Sequence, residues 1–145
     1  MLDFTTFWCF RLNALSRKIS RMYNSRCLKH GITAAQTFVM FDVMEHGGTS
    51  VKDIASRIQL DSPGVTGLID RLVKEGLVER KEDPDDRRSL RINLTRKGQD
   101  LAESELAPMA LEFNQYIRSI VQPEVAKIFQ NSLDLFDQQL SKTTD

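Results

Sequence analysis

The sequence predicts a mainly α-helical fold with one small β-hairpin, which is an α+β class. Through most of the chain, apolar residues recur at three- and four-residue steps, the periodicity of amphipathic helices. The segment 77–97 differs, because Leu90, Ile92 and Leu94 alternate with polar residues as in a half-buried strand. Strong turn formers occupy 83–86 and join two such strands. We therefore expect a helical body from which a charged hairpin projects.

Composition limits the classes of protein to which the chain can belong. At 145 residues it is long enough for one domain with a substantial core. Apolar runs such as Phe38–Phe41 are far too short to cross a membrane, and the N-terminus does not resemble a signal peptide. Two cysteines and two histidines show no disulfide framework or metal-ligand spacing, so we expect no cofactor and a reducing cytoplasmic location. Catalytic motifs are absent, so an enzyme is not expected.

The N-terminal part should form two long helices. The first is predicted over 4–23, and Gly31 ends it or its continuation. Thr33–Gln36 has capping-box spacing, which marks the start of the second helix. That helix should run to about His46 and stop at Gly47-Gly48.

Two short helices are predicted next, near 51–59 and 63–75. Ser50–Asp53 has the composition of a helix start, and Ser62-Pro63 supplies an N-cap followed by a proline at the first helical position. Gly76 ends the second helix, and the hairpin follows directly. Each piece is common alone, but the order of helix, turn, helix and hairpin is specific for a winged helix-turn-helix.

The C-terminal part predicts two more helices. Thr95 should cap a helix from 96 to about 119, kinked by Pro108, and Pro123 should open the last one. Long helices at both ends of the chain carry more apolar surface than a small winged domain needs. Because apolar surface beyond the local core implies a partner, a second copy of the chain is the simplest expectation.

The hairpin and the second short helix are the candidates for contact with double-stranded DNA. Residues 87–97 include several cations and no anion, and a thin basic projection suits the groove and phosphates of DNA. Small residues on helix 63–75 would let its backbone approach base edges. The candidate contacts are Ser50, Ser62, Gly64, Thr66, Gly67, Arg71, Asp85, Arg87 and Arg88. The alternatives are a solvated surface hairpin and glycines that only permit tight helix packing.

Two motifs connect the hairpin to a known family. Asp85-Asp86-Arg87-Arg88 matches a D-x-R pattern, and Leu94-Thr95-Arg96-Lys97-Gly98 matches L-T-x-x-G. The segments 60–62 and 71–78 fit the same family's recognition helix and its exit. On these residues the whole chain resembles the MarR family of bacterial transcriptional regulators.

The resemblance implies a single MarR-like domain over 1–145 that forms a homodimer. Its winged helix-turn-helix would cover about 33–97, and its dimerisation helices about 3–29 and 98–141. The dimer would act as a repressor on a pseudo-palindromic operator. Arg87 would enter the minor groove with its guanidinium held by Asp85, while Arg88 would contact a phosphate or the neighbouring acids.

The resemblance also implies a signal that releases DNA, and two kinds stay open. In the first, a small aromatic or phenolic acid enters a cleft between the dimer helices and the winged domain. Asn13, Arg17, Phe38 and Phe41 are the candidates to line it, because a cation neutralises the acid while rings stack on it. More simply, these residues would close the core.

In the second kind, Cys9 is an organic-peroxide sensor, as in one branch of the family, or has another thiol-redox sensing role. Tyr23 occupies the place of that branch's hydrogen-bonding tyrosine, but about 21 Å along one helix separates it from Cys9, so the two would meet only across a dimer interface. Asn13 and Ala34 replace the branch's other tyrosines. The plain alternative is that Cys9 is buried among aromatic rings. A winged domain used only for protein contacts is a further alternative.

Overall fold

The computed structural model describes residues 1–143, which form seven α-helices and one two-stranded antiparallel sheet. The elements in chain order are α1 (Trp8–Leu28), α2 (Ala34–Glu45), α3 (Val51–Ile58), α4 (Ser62–Lys74), β1 (Val78–Glu82), β2 (Leu90–Leu94), α5 (Arg96–Leu101), α6 (Ala107–Ser119) and α7 (Pro123–Ser141). The predicted fold class, mainly helical with a small β-wing, is confirmed. The chain divides into two compact units, with the boundary after Pro108. A single domain over 1–145 stays a prediction.

Local signals set the limits of α1 and α2. The predicted first helix begins as a separate 3-10 turn, Phe4–Thr6, and α1 then continues beyond the predicted end at residue 23. Gly31 has a φ of +74°, which ends the helical path. The capping box at the start of α2 is confirmed, because Thr33 Oγ1 accepts from Gln36 N at 3.2 Å and Gln36 Oε1 accepts from Thr33 N at 2.9 Å.

The helix-turn-helix is formed by α3 and α4. Ser50 caps α3 as predicted, accepting a hydrogen bond from Asp53 N at 3.1 Å. The predicted cap of α4 is wrong by one residue: Asp61 accepts from Gly64 N at 2.5 Å, and Ser62 is the first helical residue. Asp61 and Ser62 both suit a cap, and the Asp61 carboxylate is the group that reaches the free amide.

Gly64 is required by this cap, because a Cβ there would lie 2.9 Å from the Asp61 carboxylate. The apolar side of α4 packs on α2 and α3. Its Val65, Ile69 and Leu72 are fully buried, as is Ile54 of α3. Burying side chains of this size contributes about 1.5–3 kcal/mol each, so packing fixes the direction of α4.

The wing is attached to the helical body through β2. β1 and β2 pair antiparallel with Arg80 opposite Ile92. On its other side, Ile92 N donates to Thr49 O at 2.8 Å, and Gly48 N donates to Ile92 O at 3.1 Å. Ile92 is fully buried, whereas Leu90 is exposed, which corrects the prediction that Leu90 faces a core. Leu90 lies at the hairpin end of the strand, opposite Glu82.

An ion pair joins α2, α3 and the Thr49 segment. Arg57 donates to both carboxylate oxygens of Asp42, at 2.7 and 2.8 Å, and to Thr49 Oγ1 at 2.6 Å. Asp42 is buried, and its hydrogen bond with Arg57 raises the pKa of the guanidinium further above its ordinary value. The bidentate geometry constrains the angle between α2 and α3, and it also pairs the buried charge of Asp42.

A π-helical turn, Ala102–Leu106, interrupts the helix predicted from residue 96 to 119. Ala107 N donates to Ala102 O, five residues back, immediately before Pro108. Because proline has no N–H and its ring crowds the preceding turn, the interruption agrees with the kink predicted there. Pro123 opens α7 as predicted. Among the described residues, no helix is long and apolar enough to cross a membrane.

The L-T-x-x-G segment joins β2 to α5 by close packing. Thr95 Oγ1 accepts from Gly98 N at 3.0 Å and donates to Gly76 O at 2.6 Å. Thr95 N donates to Leu77 O at 3.1 Å. A Cβ on Gly98 would lie only 1.9 Å from Leu77 O, so no side chain fits at this position.

Gly98→Ala should therefore destabilise the fold by at least about 3 kcal/mol, since backbone must move to admit the methyl group. Urea unfolding followed by circular dichroism measures this loss. Gly67→Ala is the matched control, because nothing lies within 4 Å of a Cβ built there. A loss below about 1 kcal/mol for Gly98→Ala would contradict the packing described for this junction.

Candidate nucleic-acid interface

The exposed side of α4 carries most of the helix residues predicted to contact DNA. Ser62, Gly64, Thr66, Gly67 and Arg71 are all exposed. The Thr66 hydroxyl donates to Ser62 O at 2.9 Å, so its lone pairs face outward. The space above Gly67 is open. This side of the helix therefore offers a small, polar surface to which a groove could come close.

An ion pair that the sequence did not reveal joins α4 to the wing. Arg80, on β1, donates through its guanidinium to the Asp70 carboxylate. Asp70 lies on the exposed side of α4, where an unpaired carboxylate would repel phosphates. Arg80 therefore neutralises this carboxylate and links α4 to β1.

Side-chain and backbone hydrogen bonds shape the tip of the wing. Asp83 N donates to Ser89 O at 3.0 Å, and Ser89 N donates to Asp86 O at 2.9 Å. The Asp86 carboxylate accepts from Arg88 N at 3.0 Å. The turn predicted from the aspartates and Pro84 is thus present, and the Asp83 and Asp86 carboxylates cap backbone within it.

Asp83 anchors this turn to the body of the molecule. Its carboxylate accepts from Asp85 N at 2.9 Å and from Arg91 Nε at 2.8 Å. Arg91 also donates through a terminal guanidinium nitrogen to Gly48 O at 3.0 Å. The hydrogen bond from Asp85 N, followed by the bond and charge of Arg91, lowers the pKa of Asp83. Arg91 lies among the polar residues that alternate with Leu90, Ile92 and Leu94, from which we expect a side chain that faces water; that expectation is wrong, because Arg91 is held by Asp83 and Gly48.

Arg87 and Arg88 are exposed, and within residues 1–143 neither guanidinium has an ion-pair partner. The Asp85–Arg87 pair that the family resemblance implies is therefore not formed in the free chain. The motif contains two D-x-R frames, and the Asp86 carboxylate bonds to the backbone N–H of Arg88. This bond shapes the turn and leaves the Arg88 guanidinium unpaired, so the roles of Asp85, Arg87 and Arg88 stay predictions.

The predicted redox residues lie in different surroundings. Cys9 is exposed, not packed in the core of the single chain. The side-chain amide of Asn13 donates to Cys9 O at 2.8 Å and lies 3.8 Å from Cys9 Sγ. Tyr23 is buried and stacks on Phe38 with ring centroids 5.4 Å apart. Burial, more than the neighbouring Cys27 side chain, raises the pKa of Tyr23.

The candidate effector residues are accessible, and none of them lines the shallow depression on α1. Arg17 and Phe38 are exposed, and Phe41 is half-buried. Within residues 1–143, Arg17 has no ion-pair partner. A shallow depression of about 500 Å³ on α1 is instead lined by Arg21, Asn24, Ser25, Leu28 and Lys29.

Comparison with known proteins identifies the family. A model of the MarR family matches residues 32–90, which include the helix-turn-helix and most of the wing. The repressor MdtR of Bacillus subtilis is 32% identical over 114 residues, covering 79% of this chain and 74% of MdtR. The chain belongs to the MarR family. It is therefore a member of a family of winged-helix transcriptional regulators, not of an enzyme family.

Other MarR-family relatives differ in how much they share. The regulator TtmR of Methylorubrum extorquens is 40% identical over 93 residues, 64% of this chain, and the match spans only 48% of TtmR. The organic hydroperoxide resistance regulator of Bacillus subtilis is 35% identical over 95 residues, 66% of this chain and 65% of that protein.

Solved structures share the fold at lower identity. A complex of S. aureus MepR with DNA superposes with a TM-score of 0.83 at 22% identity, covering 92% of this chain and 98% of MepR. Bordetella bronchiseptica BpsR, described as regulated in DNA binding by 6-hydroxynicotinic acid, gives a TM-score of 0.83 at 23% identity over 97% of each chain. At these identities the likeness shows the fold alone.

Arg87→Ala and Arg88→Ala should each weaken binding to operator DNA by at least about 1 kcal/mol, because each removes an unpaired cation from the wing tip. The slope of log affinity against log salt should fall by about 1 for each phosphate interaction removed. Fluorescence anisotropy at several salt concentrations measures both. Lys81→Ala is the control, since Lys81 is an exposed β1 cation paired with Glu79. Unchanged affinity in both arginine variants would exclude the wing from DNA contact.

Gly67→Ala should stabilise the protein by about 0.5 kcal/mol, because alanine is the better helix former and has open space there. The same change should weaken DNA binding, since the methyl group would stand between the α4 backbone and the bases. Unfolding and anisotropy measured on one preparation separate the two effects. DNA affinity that rises or stays constant would place Gly67 outside the interface.

Asp83→Asn should reduce stability most at neutral pH. The pKa of Asp83 is lower in the folded chain than its unfolded value of about 3.9, so its stabilising contribution is present above about pH 4. That contribution is lost as the pH falls through the folded pKa. The difference in unfolding free energy between wild type and variant should therefore shrink on acidification. A difference that stays constant from neutral pH down to about pH 3 would contradict this, with Asp85→Asn as control.

Proposed function

We propose that the chain is a homodimeric transcriptional repressor that binds a pseudo-palindromic stretch of double-stranded DNA through α4 and the wing. The observation that carries the proposal is the pair of unpartnered cations, Arg87 and Arg88, at the tip of an anchored hairpin in residues 1–143. Beside the hairpin in the sequence, α4 exposes small and polar residues. Membership of the MarR family and the shared fold of MepR, whose structure was solved with DNA, support this function. Such a repressor acts where the bacterial chromosome lies, in the cytoplasm.

Ser50 is a proposed DNA contact that lies outside both α4 and the wing. Its hydroxyl already accepts from Asp53 N, which leaves its proton free for a phosphate oxygen. Asp85 would join the interface only if its exposed carboxylate paired with Arg87 on binding, since that ion pair is not formed in residues 1–143. Both assignments fit a dimer whose two wings reach adjacent grooves.

The first experiment is anisotropy of labelled DNA from the region upstream of the protein's own coding sequence. Binding that survives unlabelled random competitor, and that is lost when either half of the inverted repeat is scrambled, supports the repressor. Equal competition by random DNA would contradict operator recognition. If no DNA binds, a winged domain for protein contacts becomes the better interpretation.

Exposed apolar side chains support the homodimer. On α7 they follow helical spacing, at Val125, Ile128, Phe129, Leu133, Phe136 and Leu140. On the N-terminal segment, Phe4, Phe7, Leu12 and Leu15 are also exposed. Because soluble proteins rarely leave an apolar helix face of this kind uncovered, a second copy is the proposed cover for each of these two segments.

Ile128→Glu tests the homodimer, because Ile128 is 66% exposed and its replacement need not disturb the fold of one chain. Sedimentation equilibrium should give a dimer for wild type and a monomer, or a much weaker dimer, for the variant. The neighbouring Lys127→Glu is the matched control, since it adds the same acidic side chain. A monomeric wild type at micromolar concentration would overturn the homodimer.

The proposed signal is a small aromatic or phenolic acid that releases DNA. Arg17 offers a guanidinium with no ion-pair partner in residues 1–143, and Phe38 an exposed ring already stacked on Tyr23. Asn13 and Phe41 complete the proposed lining. The DNA binding of BpsR is described as regulated by 6-hydroxynicotinic acid, which supports a ligand of this chemistry.

The test is a panel of aromatic acids, including 6-hydroxynicotinate, scored by thermal shift and by loss of DNA anisotropy. Arg17→Gln should abolish the response to carboxylates, while Lys18→Gln should retain it. A panel without effect on stability or DNA binding would count against the aromatic-acid effector.

Cys9 supports a second candidate signal, an organic hydroperoxide. Its thiol is exposed and lies near the Asn13 amide, and one relative is named an organic hydroperoxide resistance regulator. The burial of Tyr23 and its stacking on Phe38 within the chain weigh against the implied Cys9–Tyr23 pairing. Stoichiometric cumene hydroperoxide should release DNA reversibly in wild type and not in Cys9→Ser. Release that persists in Cys9→Ser would exclude this thiol as the sensor.

A further inference from the structure

We propose that Arg91 is a positioning residue for DNA binding, which holds the wing tip by bridging Asp83 and the backbone carbonyl of Gly48. The inference rests on the proposed function, because the tip carries the cations offered to DNA. It gives Arg91 a role different from that of Arg87 and Arg88, although the sequence places all three in one basic run. Arg91 is the clamp, and the two tip arginines are the contacts.

All three nitrogens of the Arg91 guanidinium are directed at fixed acceptors. Nε and one terminal nitrogen reach Asp83 Oδ2 at 2.8 and 2.7 Å, and the other terminal nitrogen reaches Gly48 O at 3.0 Å. A guanidinium presents these donors in one rigid plane, so its two acceptors are held at a set separation. Lysine has a single flexible ammonium group and cannot reproduce the bridge.

The two acceptors, Asp83 and Gly48, belong to different parts of the compact unit that ends at Pro108. Asp83 begins the tip, where it accepts from Asp85 N and donates its own N–H to Ser89 O. Gly48 belongs to the segment after α2, where its N–H donates to Ile92 O. Arg91 therefore connects the tip directly to the helical body, beyond the ladder of β1 and β2.

The neighbouring strand supplies a matched control. Lys81 lies directly opposite Arg91 in the β-ladder, but it pairs with Glu79 of its own strand at 2.8 Å. Its side chain is 64% exposed, compared with 41% for Arg91. Lys81→Gln thus removes one positive charge from the same sheet without touching the bridge.

The first arm of the test needs no DNA. Limited trypsin digestion of the full chain should cut after Arg87 and Arg88 several-fold faster in Arg91→Gln and Asp83→Asn, because a released tip opens more often. Arg91→Lys should resemble Arg91→Gln, and Lys81→Gln should resemble wild type. Far-UV circular dichroism shows that each variant is folded. A tip as protected in Arg91→Gln as in wild type would overturn the proposal.

The second arm measures DNA affinity by anisotropy. Arg91→Gln and Arg91→Lys should each weaken binding about tenfold, comparable with the removal of one good contact. In a background that already carries Arg87→Ala and Arg88→Ala, the same change should cost less than about twofold, since the clamp acts through the tip. Adding Asp83→Asn to Arg91→Gln should likewise cause little further weakening.

A direct phosphate contact by Arg91 predicts the opposite pattern. Arg91→Lys would then retain most of the affinity, and the weaker binding of Arg91→Gln would persist in the tip-variant background. Those results would overturn the positioning role. If wild type binds no DNA, the proposed function fails, and the digestion arm alone decides whether Arg91 holds the tip.

Discussion

The pairing of Ile92 with the segment after α2 is the constraint on which the wing depends. Ile92 hydrogen-bonds through both backbone groups to Gly48 and Thr49, while its side chain is fully buried. An isolated two-stranded hairpin is marginally stable in water. The wing therefore needs the pairing of β2 with Gly48 and Thr49 in addition to the pairing of β1 with β2. The Arg57 guanidinium in turn holds Thr49 by donating a hydrogen bond to its hydroxyl oxygen. The helix-turn-helix and the wing are consequently joined into one structural unit.

Arginines that look alike in the sequence have separate tasks in this arrangement. Arg57, Arg80 and Arg91 each direct their charge to an aspartate within the chain, whereas Arg87 and Arg88 have no ion-pair partner among residues 1–143. The paired arginines orient backbone and helices through planar, directional bonds. The unpaired ones keep an exposed positive charge, which is the charge that the proposed DNA contact would use.

The sequence predicts the elements whose signals are local. The capping box at Thr33 and the start of α7 at Pro123 depend on residues within one turn, so both were predictable. The N-cap of α4 was not predictable, because Asp61 and Ser62 both suit that position, and Asp61 is the residue that occupies it. The partners of Arg91 could not be predicted either, since Gly48 is distant along the chain and meets it only after folding. The exposed tip residues were predictable as candidates, but the hydrogen bonds of the Asp83 and Asp86 carboxylates to backbone N–H groups of the tip were not.

Hydrogen–deuterium exchange of the protein with and without its upstream DNA tests the central account most directly. The account predicts slower exchange, on DNA binding, in the first half of α4 and across the wing tip at 83–91. It also predicts little change at the exposed turn between α6 and α7. Protection confined to that turn or to the N-terminal segment, with α4 and the wing unchanged, would contradict a DNA interface formed by the recognition helix and the wing.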